Sequence, residues 1–162
     1  MDNLETDRIE GKLFLLRTAL REQKNYFDYI LIDTPPRLGV LSLNACIASQ
    51  EIFAVVLADI LSYRSLLSLR DTIEETARRY TRGLKLGGII INFYDSRRNI
   101  EKFIMEKILV EYKEICFKTP IRRSVAIPES IMAGKNIFKY ASWSPVANDF
   151  LGLAKEITER KV

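Results

Sequence analysis

Three short, mainly apolar segments constrain this chain more than any other feature: Tyr29-Ile30-Leu31-Ile32, Ile52-Phe53-Ala54-Val55-Val56-Leu57, and Leu86 to Phe93 centred on Ile89-Ile90-Ile91. Runs of this length are too short for helices and do not alternate in polarity, which predicts strands buried on both faces, as in a parallel sheet. Between them lie helical patterns. Leu13, Leu16 and Leu20 recur from about Arg8 to Glu22, a second helix is expected over Gly39–Ser49, and Ser62 is expected to cap a third reaching Tyr80. Ile100, Phe103, Ile104, Ile108 and Leu109 are expected to line one buried helical face, and Glu114–Lys118 to add a short strand. A short helix is expected over Pro128–Ala133 with Gly134 as its stop, and Ser144-Pro145 to start a last helix through Leu151, Ala154 and Ile157. The alternation predicts an α/β fold, a mostly parallel sheet flanked by helices, as a single domain over residues 1–162.

Composition removes whole classes of function. No stretch approaches the roughly 18 apolar residues of a membrane span, and Met1–Glu10 carries four acidic groups where a secretory leader would be basic, so a soluble cytoplasmic protein is expected. The chain has no histidine, and Cys46 and Cys116 stand far apart, which excludes histidine-containing zinc sets and Ser-His or Cys-His nucleophiles. Any catalysis would rest on carboxylates, lysines or a bound metal. The first 60 residues hold six Lys+Arg against nine Asp+Glu, leaving 19 of the 25 basic and 12 of the 21 acidic residues for the remainder. A basic surplus of that kind suits an anionic partner, or simply a solvated surface.

Asp33 ends the first apolar run and is followed by Thr34-Pro35-Pro36. Open α/β sheets bind ligands at strand carboxyl ends, and a carboxylate held there can meet the hydration shell of a nucleotide's Mg²⁺. The plainer alternative is that Asp33 breaks the chain before a Pro-Pro turn.

The surrounding residues favour the first alternative by their likeness to a known family. Asp28-Tyr-Ile-Leu-Ile-Asp-Thr-Pro-Pro-Arg-Leu-Gly39 with Leu43-Asn44-Ala45, then Asp71-Thr72-Ile73, Asn92-Phe93-Tyr94-Asp95-Ser96-Arg97, Thr119 to Glu129, and Gly134-Lys135 with Leu153 to Ile157, resemble ParA/Soj-type partition ATPases in order from Tyr26 onward. The resemblance implies a P-loop NTPase (ParA/MinD-like) fold and an Mg-ATP hydrolase that dimerises with ATP. It also implies non-specific double-stranded DNA binding, response to a ParB-type partner, and action in plasmid or chromosome partitioning at the nucleoid. It places Asp33 at the Mg²⁺ site through water, and Asn92, Ile121 and Arg122 near nucleotide. It further suggests Arg97, Arg98 and Arg123 as DNA contacts.

The departures matter equally. No GxxxxGK[ST] segment is present, Leu57 and Ser65 stand where glutamine and glycine are expected, and Arg122 stands where the family has proline. The chain is therefore expected to be incomplete at its N-terminus relative to the family, missing the P-loop and its strand. It is expected to be inactive alone and to bind no Mg-ATP tightly. Losing the burial of about four side chains at ~1.5–3 kcal/mol each would leave it marginal or oligomeric. Fragment, remnant and genuine short paralogue all remain open. One alternative is a non-catalytic regulatory module pairing with an intact ParA-type subunit. Another is a MinD-like membrane-cycling ATPase, disfavoured by the mixed charge of Glu156–Val162. Among the aromatics, Phe103 is expected in the core and Trp143 against the last helix.

Overall fold

The computed structural model of the chain describes residues 11–35 and 39–160. Its elements are α1 (Leu15–Ala19), a 3₁₀ turn (Gln23–Asn25), α2 (Val40–Ala48), β1 (Glu51–Leu57), α3 (Ile60–Arg79), β2 (Lys85–Asn92), α4 (Asn99–Glu111), α5 (Ala126–Met132), α6 (Ile137–Tyr140) and α7 (Pro145–Glu159). β1 and β2 pair as a parallel β-α-β unit with α3 as the crossover. The chain divides into two compact units, Met1–Ile52 with Leu69–Gly87, and Phe53–Ser68 with Gly88–Val162.

In the first unit α1 packs on α2. The continuous helix expected over Arg8–Glu22 is interrupted within its described part, at Leu13-Phe14, and the cause lies elsewhere in the chain. A regular helix would bond Leu16 N–H to the Lys12 carbonyl. Instead the amide of Asn44 enters that step: its Nδ2 donates to Lys12 O at 2.8 Å and its Oδ1 accepts from Leu16 N at 3.3 Å. A side chain inserted into the i→i−4 ladder is a recognised cause of a helix break. The same Nδ2 also donates to Val40 O at 3.0 Å, so the buried Asn44 is fully used.

The strand expected over Tyr29–Ile32 does not form. Leu31 is 84 % exposed, and an apolar run becomes a strand only when a neighbour takes up its backbone groups and one face. Among the described residues none does. At the other end of this unit, Gly83, at φ 99°, makes the turn into β2, and Lys85 pairs with Glu51 across the strands at 2.8 Å.

The second unit holds the larger core. Ile89 and Ile91 on one face of β2 and Ile90 on the other are all buried, as the sequence predicts. β1 is only half-covered: Ala54 and Val56 are buried while Val55 is 61 % exposed. Ile90, Phe117, Ile121, Ile137, Val146 and Leu153 form one cluster, with Phe53 set edge-on to Phe117 at 5.5 Å.

The expected strand at 114–118 shrinks to one parallel bridge, Ile89 to Cys116. Beyond it the Glu156 carboxylate of α7 accepts the N–H groups of Lys118 and Thr119, both at 2.8 Å, together with the Thr119 hydroxyl. Those donors are thereby withdrawn from any ladder, and Pro120 has none to give.

Helix ends follow local chemistry. Asp59, rather than Ser62, caps α3, its Oδ1 accepting from Ser62 N at 2.8 Å. Gly134, at φ 62°, closes α5 with Gly134 N–H to Ile131 O and Lys135 N–H to Ser130 O, a Schellman pair. Ser144 caps α7 by accepting from Ala147 N, with Pro145 in the first turn, as expected. The Ala141–Ser144 turn is closed by backbone and by the Ser144 hydroxyl, and Trp143 is left 83 % exposed instead of packing on α7.

α4 is rotated from its expected phase. Glu101, Ile104 and Ile108 are buried, whereas Phe103 is 61 % exposed and Ile100 also faces solvent. The bonds that Glu101 makes to the preceding loop turn that face inward. Among the described residues, no helix is long and apolar enough to cross a membrane.

Candidate functional site

Two loops of the second unit meet at the carboxyl end of β2. Ile121 N–H donates to Ile91 O at 2.8 Å, Tyr94 N–H to Ile121 O at 3.0 Å and Arg123 N–H to Tyr94 O at 3.0 Å. Tyr94 and Arg122 form a parallel bridge. The segments 92–98 and 121–125 are therefore held side by side by backbone bonds, and six of the seven residues singled out in the sequence lie on them.

Asn92 turns its side chain back on its own loop, its Oδ1 accepting from Phe93 N at 2.9 Å. Phe93 sits at φ 53°, a conformation that costs a bulky residue of order 1–3 kcal/mol and is found where a surrounding framework enforces it. Ile121 is a core residue, with both its N–H and its carbonyl engaged in the bonds just described.

The four arginines differ in their partners. Arg97 meets Asp95 through three donors: Nε to Oδ1 at 2.9 Å, Nη2 to Oδ2 at 2.8 Å, and its backbone N to Oδ1 at 3.0 Å. This fork holds the Asp95 carboxyl far below the usual carboxylate range and raises Arg97. Arg98 Nη1 pairs with Glu101 at 3.0 Å, and Glu101 also accepts Asp95 N–H at 2.8 Å, so one buried carboxylate ties the loop to the first turn of α4. Arg122 grips Asp149 of α7 with Nε at 2.6 Å and Nη2 at 2.8 Å, a bidentate pair that raises its pKa. Arg123 has no carboxylate partner among the described residues, and its guanidinium lies over the Phe93 ring, 5.8 Å from the centroid.

Glu101 and Asp149 went unnoticed in the sequence. Glu101 could have been found as an acid in a helix's first turn close behind an arginine pair, but Asp149 lies 27 residues from Arg122 and gave no signal.

Asp33 belongs to the first unit and is exposed, at the end of the unpaired run. No group of three potential metal ligands occurs among the described residues. The 162 residues contain no Gly-rich lysine loop, so they do not by themselves fit Mg-ATP, and no catalytic step is assigned to them.

Comparison with known proteins decides the family. The model of an AAA domain family matches residues 2–86, more than half of the chain. The chromosome partitioning protein ParA of Myxococcus xanthus is 32% identical over 151 residues, 93% of this chain and 53% of that protein. The chain belongs to the ParA/Soj family. The sporulation initiation inhibitor protein Soj of Bacillus subtilis is likewise 32% identical, over 88% of this chain and 56% of its own length. This ParA/Soj-type chain thus spans about half the length of the curated relatives it matches. In three dimensions it is similar to the septum site-determining protein MinD of Pyrococcus horikoshii, solved with Mg-ADP, at TM-score 0.70 and 22% identity over 91% of this chain and 57% of that one. That likeness shows the shared P-loop NTPase fold alone.

Proposed function

We propose that these residues form part of a ParA-type switch for DNA partitioning, working in the cytoplasm at the nucleoid, whose Mg-ATP site is completed by a phosphate-binding loop not contained in them. In this reading the chain is one α/β domain that dimerises with a second copy or a full-length paralogue. It binds double-stranded DNA without sequence preference and answers to a ParB-type partner. The observation that carries it is the pair of loops bonded side by side at the end of β2, which together hold Arg97, Arg98 and Arg123. Arginines on adjoining loops reach phosphates while reading no base. Asn92, Ile121 and Arg122 are proposed near the nucleotide, with Asp33 meeting its Mg²⁺ through water.

The missing GxxxxGK[ST] favours a second reading, a non-catalytic module that regulates an intact ParA-type subunit. Calorimetry with Mg-ATP on this chain, beside a version extended upstream through any P-loop, separates the two. Binding by the extended chain alone supports the switch, and binding by neither supports the regulator. Tight binding by the 162 residues would overturn the account of the missing loop.

A further inference from the structure

α4 carries apolar surface that its own fold leaves uncovered. Ile104 and Ile108 are buried, but Ile100, Phe103 and Val110 are exposed, Val110 to 82 %. With Lys107 they stand three, four and three residues apart, a spacing that a helix gathers into one stripe. Lys107 contributes its stem, its Nζ lying 4.5 Å from the centre of the Tyr63 ring. Tyr63 in turn donates its hydroxyl to Glu111, which fixes the side of the stripe that faces α3. The result is a shallow groove along the helix, lined by Phe103, Glu106, Lys107, Val110 and Glu111.

A strand added at the open edge of β1 would not cover this groove. Ile89 bonds Ile115 and Phe117 through its N–H and its carbonyl, so that segment and β1 lie on opposite edges of β2. α4 makes the connection on the edge away from β1.

We infer that the stripe is an interface between two copies of this chain, packed antiparallel about a two-fold axis at Met105. Spacing and charge both select a second copy. The three-four-three spacing reads the same from either end, so reversal about position 105 sets Ile100 on the partner's Val110 and Phe103 on the stem of the partner's Lys107. Beside the stripe, Lys102 and Glu106 are exposed and make no ion pair among the described residues. Reversal brings Lys102 to within two residues, about 3 Å along the helix, of the partner's Glu106. The two Glu106 carboxylates near the axis are each flanked by a lysine of the other copy. Parallel pairing would instead set like charge on like. Two 13-residue helices bury less than an obligate dimer does, so the association is of the weak, micromolar kind. No nucleotide takes part, which separates this contact from the ATP-driven dimer proposed above.

The test is sedimentation equilibrium of the 162-residue chain without nucleotide or DNA, over roughly 1 μM to 1 mM. The molar mass is expected to rise from that of one chain towards that of two. Val110→Asp places a charge at both symmetric contacts and should weaken the association about 100-fold or more. Should that variant fail to fold by circular dichroism, Phe103→Ser gives the same reading. Lys102→Glu and Glu106→Lys should each self-associate less than the parent yet associate with one another on mixing, which no effect within a single helix produces. A parent monomeric throughout, a dimer indifferent to Val110→Asp, or charge variants that fail to combine would each overturn the inference. The first outcome would leave the stripe to a different protein, and the second would move the dimer contact to another face, such as the open edge of β1.

Discussion

Replacing Gly88 by alanine tests the packing of the second unit. A Cβ on Gly88 would lie 2.4 Å from Cε2 of Phe117 and 3.0 Å from Cδ1 of Phe53, against ordinary contacts of roughly 3.4–4 Å. The Phe117 ring would have to withdraw by about 1 Å, but it is buried in the cluster with Ile90, Ile121 and Val146. Overpacking of this kind costs about 1–3 kcal/mol. Disturbing the edge-on Phe53–Phe117 arrangement, with its 5.5 Å centroid separation, adds up to about 0.5–1.5 kcal/mol. The more restricted unfolded chain returns about 0.4–1 kcal/mol. The net expectation is a loss of about 1–3 kcal/mol, read as a lower urea midpoint at unchanged m by far-ultraviolet circular dichroism. Gly11→Ala is the control, since its Cβ would meet nothing within 4 Å and Gly11 is helical; it should be neutral or slightly stabilising. A Gly88→Ala variant as stable as the parent, or a Gly11→Ala variant losing as much, would refute the argument.

Three further outcomes are expected. Glu156→Gln leaves one acceptor oxygen for the three donors on Lys118 and Thr119, and should cost about 1–3 kcal/mol with faster amide exchange at both residues. Burial pushes the Cys116 thiol up to about 11 from an ordinary 9.0, helped by nearby Glu156. Because the raised value favours the neutral folded form, this contribution is complete below pH 9 and is lost as the pH climbs towards 11; Cys116→Ser should flatten the stability profile in that window. Asn44→Asp removes the amide donor to Lys12 O and Val40 O, and should destabilise the protein by about 1–3 kcal/mol in equilibrium denaturation.

What the sequence disclosed was mostly what neighbours along the chain decide. The apolar runs at 52–57 and 86–93 became β1 and β2, and the stops and caps at Gly134 and Ser144 acted as their chemistry requires. The run at 29–32 has the same composition as a buried strand, but composition cannot supply a pairing partner, and it stays unpaired. The phase of α4 was misjudged because a burial pattern assigns glutamate to water, whereas Glu101 is drawn inward by Asp95 N–H and Arg98. In the same way the arginines of the candidate site were visible, but the carboxylates that divide them into engaged and available groups were not. Those pairings depend on which loops the fold brings together, and for Arg122 on a residue in the final helix.

The amide of Asn44 also sets an order of events. Lys12 and Leu16 could close an ordinary helical turn within nanoseconds, before any distant part of the chain arrives. Their native, interrupted shape requires a side chain from 28 residues further on, so it can be adopted only after that span has been looped and α2 has docked. The closed local turn is therefore a competitor of the docked arrangement. An aspartate at position 44, unable to donate to Lys12, should shift the balance towards that competitor.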